Sequence, residues 1–256
     1  MAKSKFEYVK NFEELDNLLY ETWIVCRIDG KNFHSFSTKH NFIKPNDINA
    51  LMLMNEAAVS VISENTDIFM GYGQSDEFSF IFCSSATIFD RRKSKLLSTI
   101  VSKFSSSYVF YWKKYFPNQE LLFPPSFDGR IVIYPKAGHV KDYLSWRQAD
   151  CHINNLYNTC YWKMVLNENK TGKDAENELK DTNSAAKNEL LFTRFSTNYN
   201  NEPEIFRKGS ILCRKEYLSH EQILETKPTK CSAIRLFHGD VISDKFWTTN
   251  PKLLSD

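Results

Sequence analysis

The sequence predicts an α+β fold, in which an antiparallel sheet with the element order β-α-β-β-α-β precedes a mostly helical C-terminal part. Four short runs rich in β-branched and aromatic residues lie at 23–28, 67–71, 77–83 and 128–134, and such runs are typical of strands. Longer segments with helical spacing of apolar residues separate the first run from the second and the third from the fourth. This order of strand and helix patterns predicts the fold class.

The first 64 residues are predicted to form a helix, a strand and a second helix. Residues 11–20 (NFEELDNLLY) have helical spacing, and residues 23–28 (WIVCRI) form a buried strand that ends at Asp29-Gly30. Pro45-Asn46-Asp47 then opens a helix that runs to about residue 64.

The next segment predicts a hairpin, a long helix and a fourth strand. Residues 67–71 and 77–83 form the hairpin, because the second run alternates (EFSFIFC) and the glycine-containing stretch 71–76 separates the two. We expect the hairpin loop to be long. A helix follows at 88–116 and ends before Pro117, and the fourth strand, 128–134, ends before Pro135.

This element order is that of the ferredoxin-like split βαβ unit. In that arrangement the first two strands run parallel, and the third lies between them and antiparallel to both. The end of the first strand therefore lies beside the hairpin that enters the third. Topology alone thus places Asp29 and Asp76 side by side at one edge of the sheet.

The second half of the chain is predicted to be mostly helical. A helix covers about 140–166, the polar stretch 167–187 forms short helices and a variable loop, and 210–214 is strand-like. The tail after residue 227 has little periodicity and ends in a turn or short helix at 244–247. We divide the chain into a catalytic domain, 1–135, and a C-terminal region, 136–256, packed on it.

Composition excludes several classes of protein. With 20 Phe, 12 Tyr and 5 Trp, the chain of 256 residues has enough aromatic side chains for a sizeable core, so disorder is excluded as its dominant state. Its 33 basic and 31 acidic residues give a net charge of +2, so any binding to nucleic acid must come from local patches. No window approaches the length of a membrane span, and we expect no membrane partner.

The amino terminus and the cysteines predict a reducing compartment. The basic residues of the first six positions are not followed by an apolar stretch, so no secretory signal is expected. The six cysteines include no C-x-x-C pair, so neither a zinc site nor a disulfide framework is expected. We expect the protein in the cytosol or the nucleus.

Asp29 and Asp76 are the candidate catalytic carboxylates. Mg²⁺ binds one or two carboxylates together with substrate phosphates, and two such ions can serve a phosphoryl transfer. The Gly30 carbonyl is a further candidate ligand, because glycine leaves the backbone approachable. Glu77 adjoins Asp76 but points to the opposite face of an extended strand, where it would support the site. The alternative is a solvated Asp-Gly turn and an acidic hairpin tip.

Three further patterns suggest contacts with phosphate or RNA. Successive N–H groups in Gly30-Lys31-Asn32-Phe33-His34 can cradle phosphate oxygens, and Ser75 can donate from the hairpin, although D-G-K is often an ordinary turn. The helix 88–116 has seven basic residues and one acidic residue, with Arg91-Arg92-Lys93 and Lys95 at one end; it is either a phosphate-contact site or a solvated face.

The third pattern is an amide-rich helix segment. His152, Asn155 and Asn158 lie in HINNLYN, and asparagine is a poor helix former. Several amides and an imidazole at helical spacing indicate either hydrogen bonding to a polar partner such as RNA or a buried polar network.

Six motifs closely resemble the tRNA-His guanylyltransferase family: RIDGKNFHSFS (27–37), KPND (44–47), GQSDEFSF (73–80), FDRRKSK (89–95), YLSWRQADCHINNLYNTCYW (143–162) and NYNNEPEIFRKGS (198–210). The resemblance extends from about residue 3 to residue 214. It is weaker in 167–187 and in the tail after 217.

The resemblance implies a catalytic domain like a polymerase palm and the addition of one guanosine to the 5′ end of tRNA-His. In the family, ATP adenylylates the 5′-phosphate, and the 3′-hydroxyl of GTP then attacks it, so growth runs 3′–5′. It implies two Mg²⁺ ions and a homotetramer in which one subunit reads the anticodon and another acts on the acceptor end.

The resemblance also implies roles for individual residues. Metal ligands match Asp29, Gly30 and Asp76, and GTP contacts match Asp29, Gly30, Lys31, Asn32, Phe33, His34, Ser75 and Asp76. Further nucleotide or tRNA contacts match Arg27, Lys44, Asn46, Asp47, Arg92, Lys95, His152, Asn155, Asn158 and Lys187.

Three other functions compete with this interpretation. A templated 3′–5′ polymerase that repairs tRNA 5′ ends is similar, but the complete HINNLYN block favours the tRNA-His enzyme. A palm-type nucleotidyl cyclase shares the paired carboxylates, but its glycine-rich hairpin signature is absent from GYGQSDEF. A non-catalytic RNA-binding module would not need both Asp29 and Asp76.

Overall fold

The structure, a computed structural model, describes residues 4–255 and contains one seven-stranded sheet with helices on both faces. The first three residues, on which the expectation about a secretory signal partly depends, lie outside that range. The strands are β1 Trp23–Gly30, β2 Ile68–Gln74, β3 Glu77–Phe82, β4 Phe127–Tyr134, β5 Ser210–Arg214, β6 Lys227–Pro228 and β7 Ile234–Phe237. The helices are α1 Phe33–Lys39, α2 Ile48–Glu64, α3 Lys93–Tyr115, α4 Ala137–Asn167, α5 Gly172–Leu179, α6 Ser184–Phe195, α7 Glu204–Lys208, α8 His220–Glu225 and α9 Asp244–Thr249.

The strand order is β4-β1-β3-β2-β5-β7-β6, and neighbouring strands are antiparallel. The predicted α+β class is confirmed, and β3 lies between β1 and β2 as expected. In the β1–β3 register, Asp29 is opposite Glu77. The end of β1 therefore lies beside the β2–β3 hairpin.

Two apolar layers enclose the sheet. Along β1, Ile24, Cys26 and Ile28 point to the face covered by α2 and α3, whereas Trp23 and Val25 point to the face covered by α4 and the C-terminal tail. This alternation is the period of two that a strand imposes on its side chains. Because both faces are covered, the first four residues of β1, 23–26, form a continuous apolar run.

The prediction of a helix at 11–20 is wrong. A 3₁₀ turn occupies Glu7–Phe12, and the chain then runs against the start of α3. There Leu18 N–H donates to Arg91 O, and Ser94 N–H donates to the Asp16 carboxylate. These contacts hold 16–18 in an extended path, and the side chain of Leu15 is 96% exposed.

The hairpin loop is short, not long as expected. Gln74 pairs with Glu77, so only Ser75 and Asp76 lie between the strands. Ser75 has φ 50°, in the left-handed region that such tight turns use. The strand β2 therefore continues through two glycines to the tip of the hairpin.

Two further parts of the chain, the segment after β1 and the C-terminal tail, differ from the sequence prediction. Helix α1 was not predicted, and the tail, which shows little periodicity, contributes β6 and β7 to the sheet. The strand 210–214 and the short helix at 244–247 are confirmed as β5 and α9. Strands from both sides of residue 135 share one sheet, and the division of the chain at that residue stays a prediction. Among residues 4–255, no helix combines the length and apolarity needed to cross a membrane.

Candidate active site

Asp29 and Asp76 meet where β1 ends and the hairpin turns. Asp29 is the penultimate residue of β1, and Asp76 is the second residue of the hairpin loop. The Gly30 N–H donates to the Asp76 carbonyl at 3.0 Å, which joins the two segments directly. The structure thus brings together the two carboxylates that topology placed side by side.

The carboxyl groups of Asp29 and Asp76 both have raised pKa values. Burial, and then the neighbouring Asp29, raise the pKa of the Asp76 carboxyl, while a hydrogen bond from Ser75 Oγ at 2.9 Å opposes the rise. Burial and Asp128 raise the pKa of Asp29. Within residues 4–255, neither carboxylate has a Lys or Arg nitrogen within 4.0 Å. Arg27, Arg130 and Arg147 partly offset the rise at Asp29 from a greater distance, so the pair concentrates negative charge that no direct ion pair within residues 4–255 cancels.

The donor set fits a hard divalent cation held jointly with substrate phosphates. The part of the chain that the structure describes has no cluster of three or more His, Cys, Asp or Glu side chains able to enclose a metal ion. Asp29, Asp76 and the Gly30 carbonyl offer oxygen donors only, which Mg²⁺ prefers, and leave positions for phosphate oxygens. A cation would also favour the ionised form of both carboxyls, whose pKa values are raised chiefly by burial.

Glu77 is in a different environment from its neighbour Asp76. Its carboxylate pairs with Arg147 at 3.0 Å and with Arg27 Nε at 3.7 Å, on the sheet face covered by α4. Burial raises the pKa of Glu77, and the two guanidinium groups oppose that rise. Glu77 therefore forms ion pairs with Arg27 of β1 and Arg147 of α4, and it is the residue opposite Asp29 in the β1–β3 register.

The expected cradle of N–H groups does not begin at Gly30, because its first two members are already used. Gly30 N–H donates to Asp76 O, and Lys31 N–H donates to Ser126 O at 2.8 Å. Asn32 has φ 55° and starts α1, whose first turn includes Phe33 and exposed His34. Since helices leave first-turn N–H groups without internal partners, the available donors are shifted to residues 33–35.

Glycine at position 30 has a packing reason. A Cβ there would lie 2.3 Å from the Phe33 ring, a distance that no side chain tolerates. Gly30 thus allows Phe33 to close over the end of β1 and to begin α1 immediately afterwards.

A cavity of about 430 Å³ opens beside Asp76. Its walls come from α1, the segment 42–47, the start of α2, the hairpin tip, Tyr108 of α3 and the C-terminal half of α4. Lys44 lies on this wall, donates to Ser37 Oγ at 2.9 Å and has a pKa lowered by burial. Asp47 caps α2 by accepting from the N–H groups of Asn49 and Ala50.

A second cavity of about 320 Å³ lies on the other side of Asp76. Asp29, Glu77 and Asp150 line it together with amides of α4. The side chains common to both cavities belong to Pro45, Asn46, Leu51, Ser75, Asp76 and Asn158. Asp76 therefore separates two spaces, each large enough to hold part of a nucleotide.

Asn155 of the amide-rich segment of α4 belongs to a buried polar network, whereas Asn154 and Asn158 are exposed, so contact with a polar partner stays a prediction for those two. Asn46 Nδ2 donates to Asn155 Oδ1 at 2.9 Å, and Asn155 Nδ2 donates to the Tyr199 hydroxyl at 2.9 Å. His152 packs against the Tyr199 ring, and its pKa is lowered by burial and by Arg207. Asn155 thereby anchors the segment before α2, whereas Asn158 faces both cavities.

Arg92, Lys95 and Lys187 are not brought to the carboxylate pair. Arg92 forms an isolated β-bridge with Asn17, a residue that precedes β1. It therefore lies near the beginning of β1, whereas Asp29 lies at the end of that strand. From Arg92 to Tyr108, which reaches the larger cavity, α3 rises about 24 Å. Lys187 lies in α6, where its Nζ donates to Thr182 O.

Several lining residues were not singled out from the sequence. Tyr157, Tyr161 and Trp162 present aromatic rings to the larger cavity, and Tyr108 lies opposite them. The spacing of four residues between Tyr157 and Tyr161 in LYNTCYW was a usable signal, because residues four apart share a helix face. Arg147, the main partner of Glu77, had no comparable signal.

Comparisons with known proteins agree with this geometry. The model of the family described as tRNAHis guanylyltransferase matches residues 6–135, and the model described as Thg1 C terminal domain matches 138–242. A probable tRNA(His) guanylyltransferase of Dictyostelium discoideum is 53% identical over 256 residues, covering 100% of this chain and 99% of the relative. The tRNA(His) guanylyltransferase of Schizosaccharomyces pombe is 51% identical, covering 99% of this chain and 98% of the relative.

Solved structures are similar as well. The crystal structure of the Saccharomyces cerevisiae tRNA(His) guanylyltransferase is 48% identical, with a TM-score of 0.79, and the match covers 82% of this chain and 93% of that one. A bacterial tRNA(His) guanylyltransferase-like protein in complex with ATP has a TM-score of 0.77 over 98% of this chain and 100% of its own, at 20% identity, and so shares the fold. By two family models that together match most of its length, and by relatives about half identical over their full length, this chain belongs to the tRNA-His guanylyltransferase family of enzymes.

Proposed function

We propose that this protein adds a single guanosine to the 5′ end of tRNA-His in the 3′–5′ direction. In this proposal ATP first adenylylates the 5′-phosphate and releases pyrophosphate. The 3′-hydroxyl of GTP then attacks the activated phosphate and displaces AMP, and pyrophosphate is later removed from the added nucleotide. The observation that supports it most is the pair Asp29 and Asp76, two half-buried carboxylates without a basic partner, placed between two cavities. Family membership supplies the substrate class.

The chemistry of the chain's own residues follows from this placement. Asp29, Asp76 and the Gly30 carbonyl would hold Mg²⁺, which supplies charge stabilisation for phosphoryl transfer when bound. The larger cavity, with Phe33, His34 and Ser75 on its wall, would hold GTP. Glu77 would keep the end of β1 fixed against α4 through Arg147. We also propose that strands β1 to β4 form a catalytic domain like a polymerase palm.

We also propose a homotetramer that binds tRNA-His at its acceptor end and anticodon. The segment before β1 supports an interface between copies, because seven large hydrophobic side chains between residues 6 and 20 are more than half exposed. Such a concentration of exposed apolar surface is typical of interaction sites. The mass in solution, measured by light scattering, tests this: a monomer would contradict it.

Product mapping tests the function. The protein is mixed with Mg²⁺, ATP, labelled GTP and 5′-phosphorylated tRNA-His, and the labelled position is located. We expect one labelled guanosine at the 5′ end. Label at a 3′ end, or cyclic or dinucleotide products, would overturn the proposal. Extension of truncated tRNAs according to a template would favour the repair polymerase, and tRNA binding without turnover the RNA-binding module.

A further inference from the structure

Tyr108 of α3 is held rigidly at the inner wall of the larger cavity. Its side chain is fully buried. Its ring contacts those of Phe33, Phe36, Trp112 and Phe127, with centroids 5.5 to 6.3 Å apart. Because aromatic neighbours surround the ring, its hydroxyl has a fixed position.

That hydroxyl has no hydrogen-bond partner among residues 4–255, although it is buried. The comparable buried tyrosines do have partners: the Tyr72 hydroxyl donates to Lys208 O at 2.9 Å, and the Tyr143 hydroxyl lies 2.7 Å from Ser79 Oγ. An unsatisfied buried donor lowers stability, so native proteins rarely retain one without a reason. Tyr108 is among the residues that line the larger cavity but its hydroxyl is closed to solvent, so a bound molecule that presses into this wall can supply the missing acceptor.

The surrounding charges restrict what that acceptor can be. Burial, Asp76 and Asp47 all raise the pKa of the Tyr108 phenol, so it stays neutral and can donate. Asp47, which lies on the same wall and is not a ligand of the proposed cation, disfavours an anionic oxygen beside the hydroxyl, and the Lys44 ammonium of that wall is engaged with Ser37 Oγ. The Asp47 carboxylate is itself occupied by the N–H groups of Ile43, Asn49 and Ala50. A neutral oxygen is therefore the favoured acceptor.

We propose that Tyr108 is a binding residue that donates a hydrogen bond to a ribose hydroxyl of the nucleotide in the larger cavity. The hydroxyls of ribose are the neutral acceptors that a nucleoside triphosphate presents beside its charged phosphates. This inference rests on the proposed function and deepens it, since it assigns a contact that distinguishes ribonucleotides from deoxynucleotides.

The test compares GTP with 2′-deoxy-GTP and 3′-deoxy-GTP, each titrated without ATP or tRNA and followed by calorimetry. Wild-type protein should bind one of the two analogues about 3- to 10-fold more weakly than GTP. Tyr108→Phe, which removes only the hydroxyl, should weaken GTP binding by a similar factor and leave the affinity for that analogue unchanged. Its melting temperature should be equal to or above that of wild type, because an unsatisfied buried donor is removed.

Tyr72→Phe is the matched control, since it removes a buried hydroxyl that lines neither cavity. It should lower stability and leave all three affinities unchanged. Equal weakening of GTP and both analogues by Tyr108→Phe, or no weakening at all, would overturn the inference while the proposed function stands. Failure of wild-type protein to bind GTP at millimolar concentration would overturn both.

Discussion

The two ends of the sheet have opposite unpaired charges. At the end where β1 finishes, Asp76 lines two cavities and Asp29 one of them, and neither carboxylate forms an ion pair within residues 4–255. At the other end, where α3 begins, the exposed side chains of Arg92, Lys93 and Lys95 form no ion pair within the described residues 4–255. The net charge of +2 therefore does not reveal that unpaired acidic and unpaired basic side chains lie at different ends of the sheet.

The two ends differ in how their charge is held. The carboxylates at the end of β1 are half-buried, and burial raises both of their pKa values. At the other end the two terminal nitrogens of the buried cation, Arg91, donate to the carbonyls of Ser84, Ala86 and Thr22, while its neighbour Arg92 is exposed. One end is suited to chemistry on a small ligand in a pocket, and the other to long-range attraction of a polyanion.

Loss of either carboxylate should have the largest effect. Asp29→Ala or Asp76→Ala should abolish guanosine addition, because each removes an oxygen donor that the proposed cation needs, and circular dichroism should stay close to that of wild type. Asp128→Asn is the matched control, since Asp128 is opposite Asp29 in the β1–β4 register but is largely exposed. We expect it to retain most of the activity. Full activity of both alanine variants would contradict the assignment of Asp29 and Asp76 to the active site.

Loss of Arg147 should mainly reduce stability. Arg147 and Glu77 are 7% and 11% exposed in their side chains, so Arg147→Met leaves a buried carboxylate without its main partner. We expect a loss of about 3 kcal/mol in the free energy of unfolding, measured with urea. Arg130→Met, which removes an exposed partner of Asp128, should cost less than about 0.5 kcal/mol. Equal losses would contradict the buried role of Arg147.

Removing the charge of Asp76 should raise stability. The folded-state pKa of this carboxyl is above its ordinary value of 3.8, so stability falls as the pH rises from 3.8 to the folded-state pKa, and the full cost of the charge is present above that. Asp76→Asn should therefore melt about 2 °C higher at pH 7, and the difference should vanish as the pH falls toward 3.8. Adding Mg²⁺ should raise the melting temperature of wild type and leave that of Asp76→Asn unchanged.

Glu77→Gln is the contrasting variant for that experiment. It neutralises the next residue in the chain and deprives the buried Arg147 guanidinium of its nearer anion, leaving only the more exposed Asp150 at 3.4 Å, so its melting temperature should fall. If Asp76→Asn also melted lower than wild type, Asp76 would have a stabilising partner, and the contrast between the two neighbouring carboxylates would be wrong.

The sequence was informative where a pattern is local or where topology follows from element order. The proximity of Asp29 and Asp76 followed from β3 lying between β1 and β2. Periodicity failed at 11–20, because the apolar side chains there are exposed instead of packed: Leu15 and Phe12 are 96% and 80% exposed. Helix α1 is only seven residues long, too short to show a helical repeat.

The environment of each site residue depended on contacts that no local pattern encodes. Glu77 meets Arg147 across 70 residues of chain, and Asn46 meets Asn155 across 109. The expected N–H cradle at Gly30 failed for the same reason, since Asp76 and Ser126 take the first two donors. Residue types could be read from the sequence, but their partners could not.

The basic end of α3 should produce the smallest effect and the one most sensitive to salt. Arg92→Gln combined with Lys95→Gln removes two exposed cations far from Asp76, so affinity for GTP should not change. Affinity for tRNA should fall, and the slope of log K against log salt should become shallower by about two, one for each lost phosphate contact. Lys113→Gln with Lys114→Gln, at the other end of the same helix, controls for total charge. If both pairs weakened tRNA binding equally, attraction would depend on overall charge, and Arg92 and Lys95 would belong to a solvated helix face.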